Sequence, residues 1–231
     1  MKKLALFCLA SGLALTAQAK DPVFVAASQT RIDQILTTPA ADDSAATRVE
    51  LAVLHRIEES RTPAQVAKAQ ADEALETLFV YRDVLGERLD AAQLPLTAIL
   101  AGHVKNDEGI NSGPAKLAFH RVRPYNLDKS LHPVCKTKAK DDSYPSGHAT
   151  SGYLNALVLV DMLPEKRDVI LARADDYAHN RLVCGVHYPS DIEASKLGSY
   201  ATHAVMSNNP QYQKEMAAAR GELRKALGLP E

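Results

Sequence analysis

Apolar residues in this chain recur at intervals of three and four positions, and no stretch alternates apolar and polar residues as sheet strands do. Thr62-Pro63 is the clearest helix start, because threonine is a good N-cap and proline suits the first helical position. There is no internal repeat and no linker that would divide two domains. The pattern predicts an all-α fold with a single compact helical domain. The apolar positions that follow Pro63 are Val66, Ala67, Ala71, Ala74, Leu75, Leu78 and Phe79.

Helices and loops can be assigned along the rest of the chain from the same signals. Leu94 to Val104 predicts a buried helix, whereas Lys105 to Pro114 is polar, contains two glycines and predicts a loop. A short helix is expected over residues 116–122, followed by a long polar loop over residues 125–144. Four further helices are predicted over residues 147–162, 164–181, 189–206 and 210–227.

Residues 1–19 have the pattern of a secretory signal peptide. Two lysines precede an apolar stretch from Leu4 to Leu15, and a small-x-small cleavage site follows at Ala17 and Ala19. The alternative, a retained anchor helix, is weaker because the apolar stretch is short for a bilayer. We therefore expect a mature domain of residues 20–231, exported to the periplasm and without a membrane span.

The charge balance excludes one broad class of partner. The chain has 27 Lys and Arg residues against 28 Asp and Glu residues, and its formal net charge is −1. Because there is no basic excess, a nucleic-acid binder that relies on bulk electrostatics is not expected.

Two cysteines remain after removal of the predicted signal peptide, Cys135 and Cys184. In an exported protein such a pair is a candidate disulfide. The alternative is two free, buried thiols. A bridge would tie the loop after Arg123 to the segment between Arg181 and His187.

The first of three chemistry-bearing blocks runs from Lys116 to Arg123-Pro124. Lys116 and Arg123 are two helical turns apart, so on one continuous helix both would project from the same face. Cations in such an arrangement suit a phosphate, and the arginine fork matches two of its oxygens. Arg121 competes for the arginine role but lies off that face. Taken alone, a solvated basic helix explains the block as well.

The second block, Pro145-Ser146-Gly147-His148, opens an apolar helix. A Ser-Gly turn at a helix N-terminus presents backbone N–H groups to an anion, and glycine lets the anion approach closely. His148 could protonate a leaving oxygen as general acid. The alternative is an ordinary N-cap serine followed by a surface histidine.

The third block contains Arg181, His187 and Asp191. A carboxylate four residues after a histidine can bind one ring nitrogen and leave the other free to attack phosphorus. Alternatively, the negative charge of Asp191 only interacts favourably with the dipole of a helix that begins near Pro189. Each block has a simple structural explanation, but no single such explanation covers all three blocks in this order.

The pattern Lys-x6-Arg-Pro, Pro-Ser-Gly-His and Arg-x5-His-x3-Asp resembles the type-2 phosphatidic acid phosphatase superfamily. More closely, it is similar to the bacterial class A non-specific acid phosphatases. The resemblance implies a secreted, all-helical enzyme without metal or other cofactor, which hydrolyses small phosphate monoesters. It also implies inhibition by inorganic phosphate or vanadate, and a homo-oligomer.

Carried over by position, the resemblance gives each motif residue a role. His187 is the nucleophile, Asp191 orients it, and His148 is the general acid and base. The phosphate-binding residues are Lys116, Arg123, Ser146, Gly147 and Arg181.

The chain departs from the family pattern at two positions. Asp142 stands where the family segment Gly-Ser-Tyr-Pro-Ser-Gly-His has its first glycine, and Asn180 stands where a serine usually precedes the arginine. Because asparagine can still donate a hydrogen bond, we expect Asn180 to tune the substrate range rather than abolish activity.

Two other functions are compatible with an anion cradle. A vanadate-dependent haloperoxidase would hold vanadate at the phosphate position, and the modest chain length disfavours it. A periplasmic phosphate binder without turnover would need the cations but not His148, His187 and Asp191 together.

Overall fold

The computed structural model describes residues 21–230, and within this range the chain is helical with no strand. The predicted all-α, single-domain fold is confirmed. The predicted signal peptide lies outside the described residues. In chain order the helices are α1 (Ala27–Thr30), α2 (Ile32–Ile35), α3 (Ala45–Ser60), α4 (Pro63–Glu73), α5 (Arg82–Leu85), α6 (Pro95–Phe119), α7 (Pro124–Leu127), α8 (Gly147–Met162), α9 (Arg167–Val183), α10 (Pro189–Met206) and α11 (Pro210–Leu227), with short 3₁₀ turns at Leu78–Tyr81 and Pro164–Lys166.

Helix α8 lies at the centre of the fold and packs against α6, α9, α10 and α11. It is buried on nearly all sides, as expected for a helix whose sequence is apolar around its whole circumference. Gly152 allows α9 to approach closely, because a β-carbon at this position would lie 2.5 Å from the Tyr177 ring. The central position of α8 fixes its N-terminal residues, Gly147 and His148, against the surrounding helices.

Local signals placed several helix ends correctly. The Thr62 side chain accepts a hydrogen bond from the backbone N–H of Gln65 at 3.3 Å, and Pro63 is the first residue of α4. The helix does not continue to Phe79 as the apolar spacing predicts, because it ends at Glu73. Beyond that end, backbone carbonyls accept hydrogen bonds from side chains of α8 and α9, including Ser151 Oγ at 2.6 Å. These tertiary contacts replace the helical pattern.

The predicted loop from Lys105 to Pro114 is wrong, because α6 runs through it without interruption. Two of its polar side chains, Asp107 and Asn111, are buried and bind the N-terminal arm. The Asp107 carboxylate accepts three hydrogen bonds of 2.6–2.8 Å from the backbone of residues 23–25. Asn111 donates to the carbonyl oxygen of Val25 at 2.8 Å. A polar stretch is therefore helical here because its partners come from another part of the chain.

The predicted helix over residues 116–122 is also wrong in extent. Helix α6 ends at Phe119, and His120 adopts a left-handed conformation with φ 46°. Arg123 is the residue before α7 and not part of the Lys116 helix. The two cations therefore do not share a helix face, although both reach the same cavity.

Cys135 and Cys184 form a disulfide, so the predicted pairing is confirmed and the free-thiol alternative is wrong. The bridge joins the loop after α7 to the end of α9. Among residues 21–230, no helix has the length and apolar character needed to cross a membrane.

Candidate active site

A cavity of about 580 Å³ opens where the end of α4, the middle of α6, the start of α8 and the end of α9 meet. Its volume lies within the range of about 300–1,000 Å³ that is common for small-molecule sites. Six of the eight predicted site residues line it: Lys116, Arg123, Gly147, His148, Arg181 and His187. The three sequence blocks therefore meet in one place. Ser146 and Asp191 are completely buried behind the wall.

The protonation of His187 follows from its neighbours. Its Nε2 atom lies 3.3 Å from Nη1 of Arg123, which can only donate a hydrogen bond, so Nε2 is the unprotonated nitrogen and its lone pair accepts this contact. Its Nδ1 atom then carries the hydrogen, which faces Oδ2 of Asp191 at 3.1 Å. Burial, followed by the charges of Arg123 and Lys116, lowers the pKa of His187 well below its usual value. The result is a neutral imidazole whose lone pair faces the cavity side.

Asp191 is fixed by the buried side chains of Arg121, Ser143 and His187. We call these four residues the Asp191 cluster. Arg121 binds Oδ1 of Asp191 at 2.7 Å, and Ser143 donates to Oδ2 at 2.6 Å. The backbone N–H of Tyr188 also donates to Oδ2, at 2.9 Å, which caps α10. Both explanations of Asp191 therefore apply, since it caps a helix and binds the histidine.

Opposing influences act on the pKa of Asp191. Its complete burial raises the pKa, while the Arg121 charge and the hydrogen bonds from Ser143 and Tyr188 act in the other direction. We take the carboxylate form as the relevant one, because all its close polar neighbours donate. Arg121 was not among the predicted site residues. Its position two residues before Arg123 was the only signal for it.

The three predicted phosphate-binding cations reach the cavity from three different elements. Lys116 Nζ donates to the backbone carbonyl oxygens of Asp142, at 2.8 Å, and of Pro145. Burial and the nearby Arg123 charge lower the pKa of Lys116 to about 8. Arg181 is buried at the end of α9, and its Nη2 lies 3.2 Å from a carboxylate oxygen of Glu73.

Asp142, which replaces the glycine of the family pattern, contacts one of these cations. Its Oδ1 atom accepts a hydrogen bond from Nε of Arg123 at 2.7 Å. Nη1 of Arg123 also contacts the backbone carbonyl of Val186, at 3.1 Å. Asp142 therefore fixes the orientation of Arg123 and adds a negative charge to the wall of the cavity.

His148 is held by two acceptors. Its Nδ1 lies 3.0 Å from Oε1 of Glu76, and its Nε2 lies 3.1 Å from the backbone carbonyl oxygen of Glu73. Because neither partner can donate, this geometry suits a ring that is protonated on both nitrogens. The hydrogen bond from His148 is the largest of the influences that lower the pKa of Glu76. Glu76 had no motif signal in the sequence, since it comes from the turn after α4.

The two residues of the Ser-Gly turn have different roles, since Ser146 stabilises the start of α8 and Gly147 forms part of the cavity wall. The Ser146 side chain accepts from the backbone N–H of Ala149 at 3.4 Å and so caps α8. Gly147 lines the cavity, and a β-carbon there would point toward the ends of Glu108 and Lys116 at 3.8–4.0 Å. Glycine therefore leaves space beside the Lys116 side chain.

Asn180, the second departure from the family pattern, does not line the cavity. Its Nδ2 atom donates to Oδ2 of Asp72 at 2.7 Å. Arg173 binds the same carboxylate through both terminal nitrogens, at 2.6 and 3.0 Å. Asn180 thus helps to join α9 to α4, and we call these three residues the Asp72 cluster.

Several known proteins are similar to this chain. The chain is 34% identical over 168 residues to an acid phosphatase of Zymomonas mobilis, a match that covers 69% of this chain and 63% of that protein. It is 32% identical over 132 residues to a non-specific acid phosphatase of Providencia stuartii, covering 55% of this chain and 52% of the relative. A non-specific acid phosphatase of Salmonella typhimurium is 29% identical over 170 residues, covering 71% and 67%.

The chain thus spans between about half and two thirds of the length of the first two relatives. Residues 91–215 match the model of the PAP2 superfamily, and this stretch contains all three motif blocks and most of the cavity wall. The resemblance predicted from the motifs is confirmed: the chain belongs to the PAP2 superfamily.

Proposed function

We propose that this protein is an acid phosphatase that hydrolyses small phosphate monoesters through a phosphohistidine on His187. The observation that carries the proposal is the neutral His187 ring, held by Asp191 on one side and directed to a cationic cavity on the other. Acid phosphatases of 29–34% identity add support.

In the first step, the Nε2 lone pair of His187 gives up its contact with Arg123 and attacks phosphorus while the bond to the leaving oxygen breaks. A proton from His148 goes to that oxygen, so the product leaves as an alcohol. The ring of His187 gains positive charge as the N–P bond forms, and the Asp191 carboxylate stabilises it. Charge on the equatorial oxygens is balanced by Lys116, Arg123 and Arg181.

In the second step, water attacks phosphorus and gives its proton to His148. The N–P bond breaks, inorganic phosphate leaves, and the lone pair returns to Nε2 of His187. To reach the substrate, His148 must break one of its two present hydrogen bonds. The bond to the Glu73 carbonyl is the one to break, because that acceptor is uncharged and the Glu76 carboxylate is not. Inhibition by inorganic phosphate or vanadate follows from the same anion site.

The proposal also includes export to the periplasm after cleavage of residues 1–19, a mature domain of residues 20–231, and catalysis without a metal. Mass measurement of the protein from periplasmic extract tests the first two, with an N-terminus at Lys20 as the expected result. Residues 21–230 contain no group of three or more His, Cys, Asp or Glu side chains that could share a metal.

The direct test is hydrolysis of p-nitrophenyl phosphate at about pH 5–6, with and without EDTA; the window rests on an ordinary histidine pKa. We expect chelator-resistant turnover in the natural protein and almost none in His187→Ala. His179→Ala is the matched control, because this exposed histidine lies outside the cavity. Quenching during turnover with alkaline detergent should trap phosphate on the natural protein that is stable in base and lost in acid, and none on His187→Ala.

A folded natural protein without turnover would overturn the proposal. Bromide oxidation with vanadate and peroxide would then identify the haloperoxidase alternative. Tight binding of phosphate without either reaction would identify a phosphate binder.

A further inference from the structure

The cavity is larger than a single phosphate group needs, and its charge is unevenly distributed. Six cationic side chains and four carboxylates line it. Each carboxylate contacts a cation of the same wall: Glu73 contacts Arg181, Glu76 and Glu108 contact Lys105, and Asp142 contacts Arg123, at 2.6–3.2 Å. The positive charge without a carboxylate partner therefore lies elsewhere, at Lys116 and at two lysines of the loop after α7.

Those two lysines are Lys136 and Lys138. Both are exposed and both line the cavity, whereas Thr137 between them does not. Neither ammonium group makes an ion pair or hydrogen bond with any residue in the range 21–230. Two unpaired cations therefore face the same opening, two positions apart on the chain.

The segment that carries these lysines is fixed to the body of the protein. Cys135 is bonded to Cys184, and the backbone N–H of Lys136 donates to the Glu73 carboxylate at 3.1–3.2 Å. The backbone N–H of Lys138 donates to the Tyr125 hydroxyl at 2.7 Å. The position of both ammonium groups is thus restricted at the backbone, which lowers the entropic cost of binding an anion between them.

We infer that Lys136 and Lys138 form a subsite for a second phosphate group of the substrate, beside the one that is transferred. The inference rests on the proposed function for the identity of the transferred group. Lysine binds phosphate as a point charge without a fixed hydrogen-bond geometry, so this subsite would accept second phosphates at different positions on the substrate. The preferred substrate class is therefore a bisphosphate rather than a monoester with a neutral leaving group.

The test compares adenosine 3′-phosphate with adenosine 3′,5′-bisphosphate, which differ by one phosphate group. We expect Lys136→Ala/Lys138→Ala to lower kcat/KM for the bisphosphate by about tenfold, the size of two partly screened ion pairs. The same variant should change kcat/KM for the monophosphate less than about twofold. Lys140→Ala is the matched control, because Lys140 is exposed on the same loop but does not line the cavity.

A binding measurement separates this inference from the proposed function. Methylenediphosphonate, which has two phosphorus groups and is not hydrolysed, should bind the natural protein more tightly than inorganic phosphate in calorimetry, and this preference should disappear in the double alanine variant. Lys136→Arg/Lys138→Arg should retain the preference. Equal losses for both ligands, or an equal loss in Lys140→Ala, would overturn the subsite. Failure to hydrolyse either nucleotide would overturn only the proposed function.

Discussion

The Asp191 cluster and the Asp72 cluster use the same chemistry in two parts of the molecule. In each, a carboxylate that is at most 5% exposed binds an arginine that is at most 4% exposed. The arginine of the Asp72 cluster binds both oxygens of its carboxylate, and Asn180 adds a third donor. Arg121 binds only Oδ1 of Asp191 and leaves Oδ2 for Ser143, Tyr188 and His187.

This difference separates an ion pair that only joins helices from one that holds the proposed nucleophile. Among residues 21–230, no side chain that binds the Asp72 carboxylate lines the cavity, so its cluster only joins two helices. One oxygen of Asp191 holds a histidine whose other nitrogen faces the cavity side. Burial of an ion pair is therefore weak evidence of function. The informative feature is a titratable side chain between the pair and an open cavity.

The largest expected effect is a difference in activity between two variants that carry the same substitution, one in each cluster. Asp191→Asn should lower kcat for p-nitrophenyl phosphate by about 10³-fold or more, because the amide no longer stabilises the charged His187 ring. Asp72→Asn should change kcat less than about threefold, since its contacts do not reach the cavity. Initial rates of folded variants, checked by circular dichroism, make the comparison. Similar losses in both would contradict the distinction.

The second prediction concerns the free energy of unfolding. Asp72→Ala should lower it by about 3–5 kcal/mol, because Arg173 remains buried with its main partner removed. The double variant Asp72→Leu/Arg173→Met should recover at least half of that loss, because no buried charge remains unpaired. Asp83 and Asp176, the other partners of Arg173, are half-exposed and also contact Lys68. Denaturant unfolding measures both.

The corresponding double variant in the Asp191 cluster, Asp191→Leu/Arg121→Met, should recover stability in the same way but stay inactive. Recovery of activity in this variant would show that Asp191 acts only through the fold.

The third prediction concerns the positive charge of Lys116, which lies next to the Asp191 cluster. The pKa of Lys116 is lowered to about 8, so its positive charge is lost as the pH rises through that value. The inhibition constant of inorganic phosphate should then rise by about tenfold per pH unit above the midpoint, because phosphate is already a dianion there. A bound dianion stabilises charged Lys116, so the midpoint in the complex lies higher.

Lys116→Arg is the matched variant for this measurement, because arginine keeps its charge throughout the range. Its inhibition constant should stay level between about pH 8 and 9, where that of the natural protein rises. The same pH dependence in both proteins would assign the effect to another group.

The smallest expected effect belongs to Asn180→Ser, which restores the residue usual in the family. Since Asn180 binds Asp72 and does not line the cavity, we expect kcat/KM to change less than about twofold across several phosphate monoesters. The free energy of unfolding should fall by about 1 kcal/mol if serine is too short to reach the carboxylate. A changed order of substrate preference would show that this position does tune specificity, as the sequence alone suggests.

Several parts of this fold could be predicted because their signals are local. Helices over residues 147–162, 189–206 and 210–227 begin and end as predicted, since Ser-Gly and proline residues mark their starts. The continuity of α6 could not be predicted in this way. Asp107 and Asn111 suggest a loop until the N-terminal arm supplies their partners, and that contact joins residues more than 80 positions apart.

The residues of the candidate site also divide into those with a local sequence signal and those without one. The motif blocks supplied His148, His187 and the three cations, because the spacing of these residues is visible in the chain. Glu76 was missed because it belongs to no spaced pattern, and Ser143 was given no role although it lies in the family segment that ends at His148. They reach His148 and Asp191 from other segments of the fold.

By itself, the sequence determined that this protein is helical and that it belongs to the PAP2 superfamily, and it predicted which residues carry the chemistry. Helical periodicity, caps and motif spacing are short-range properties, so they can be read along the chain. The tertiary structure decided that Nε2 of His187 is the unprotonated nitrogen, that Asp142 and Glu73 contact Arg123 and Arg181, and that Lys136 and Lys138 face the same cavity. Those properties depend on burial and on contacts between distant residues, which exist only when the helices have packed together.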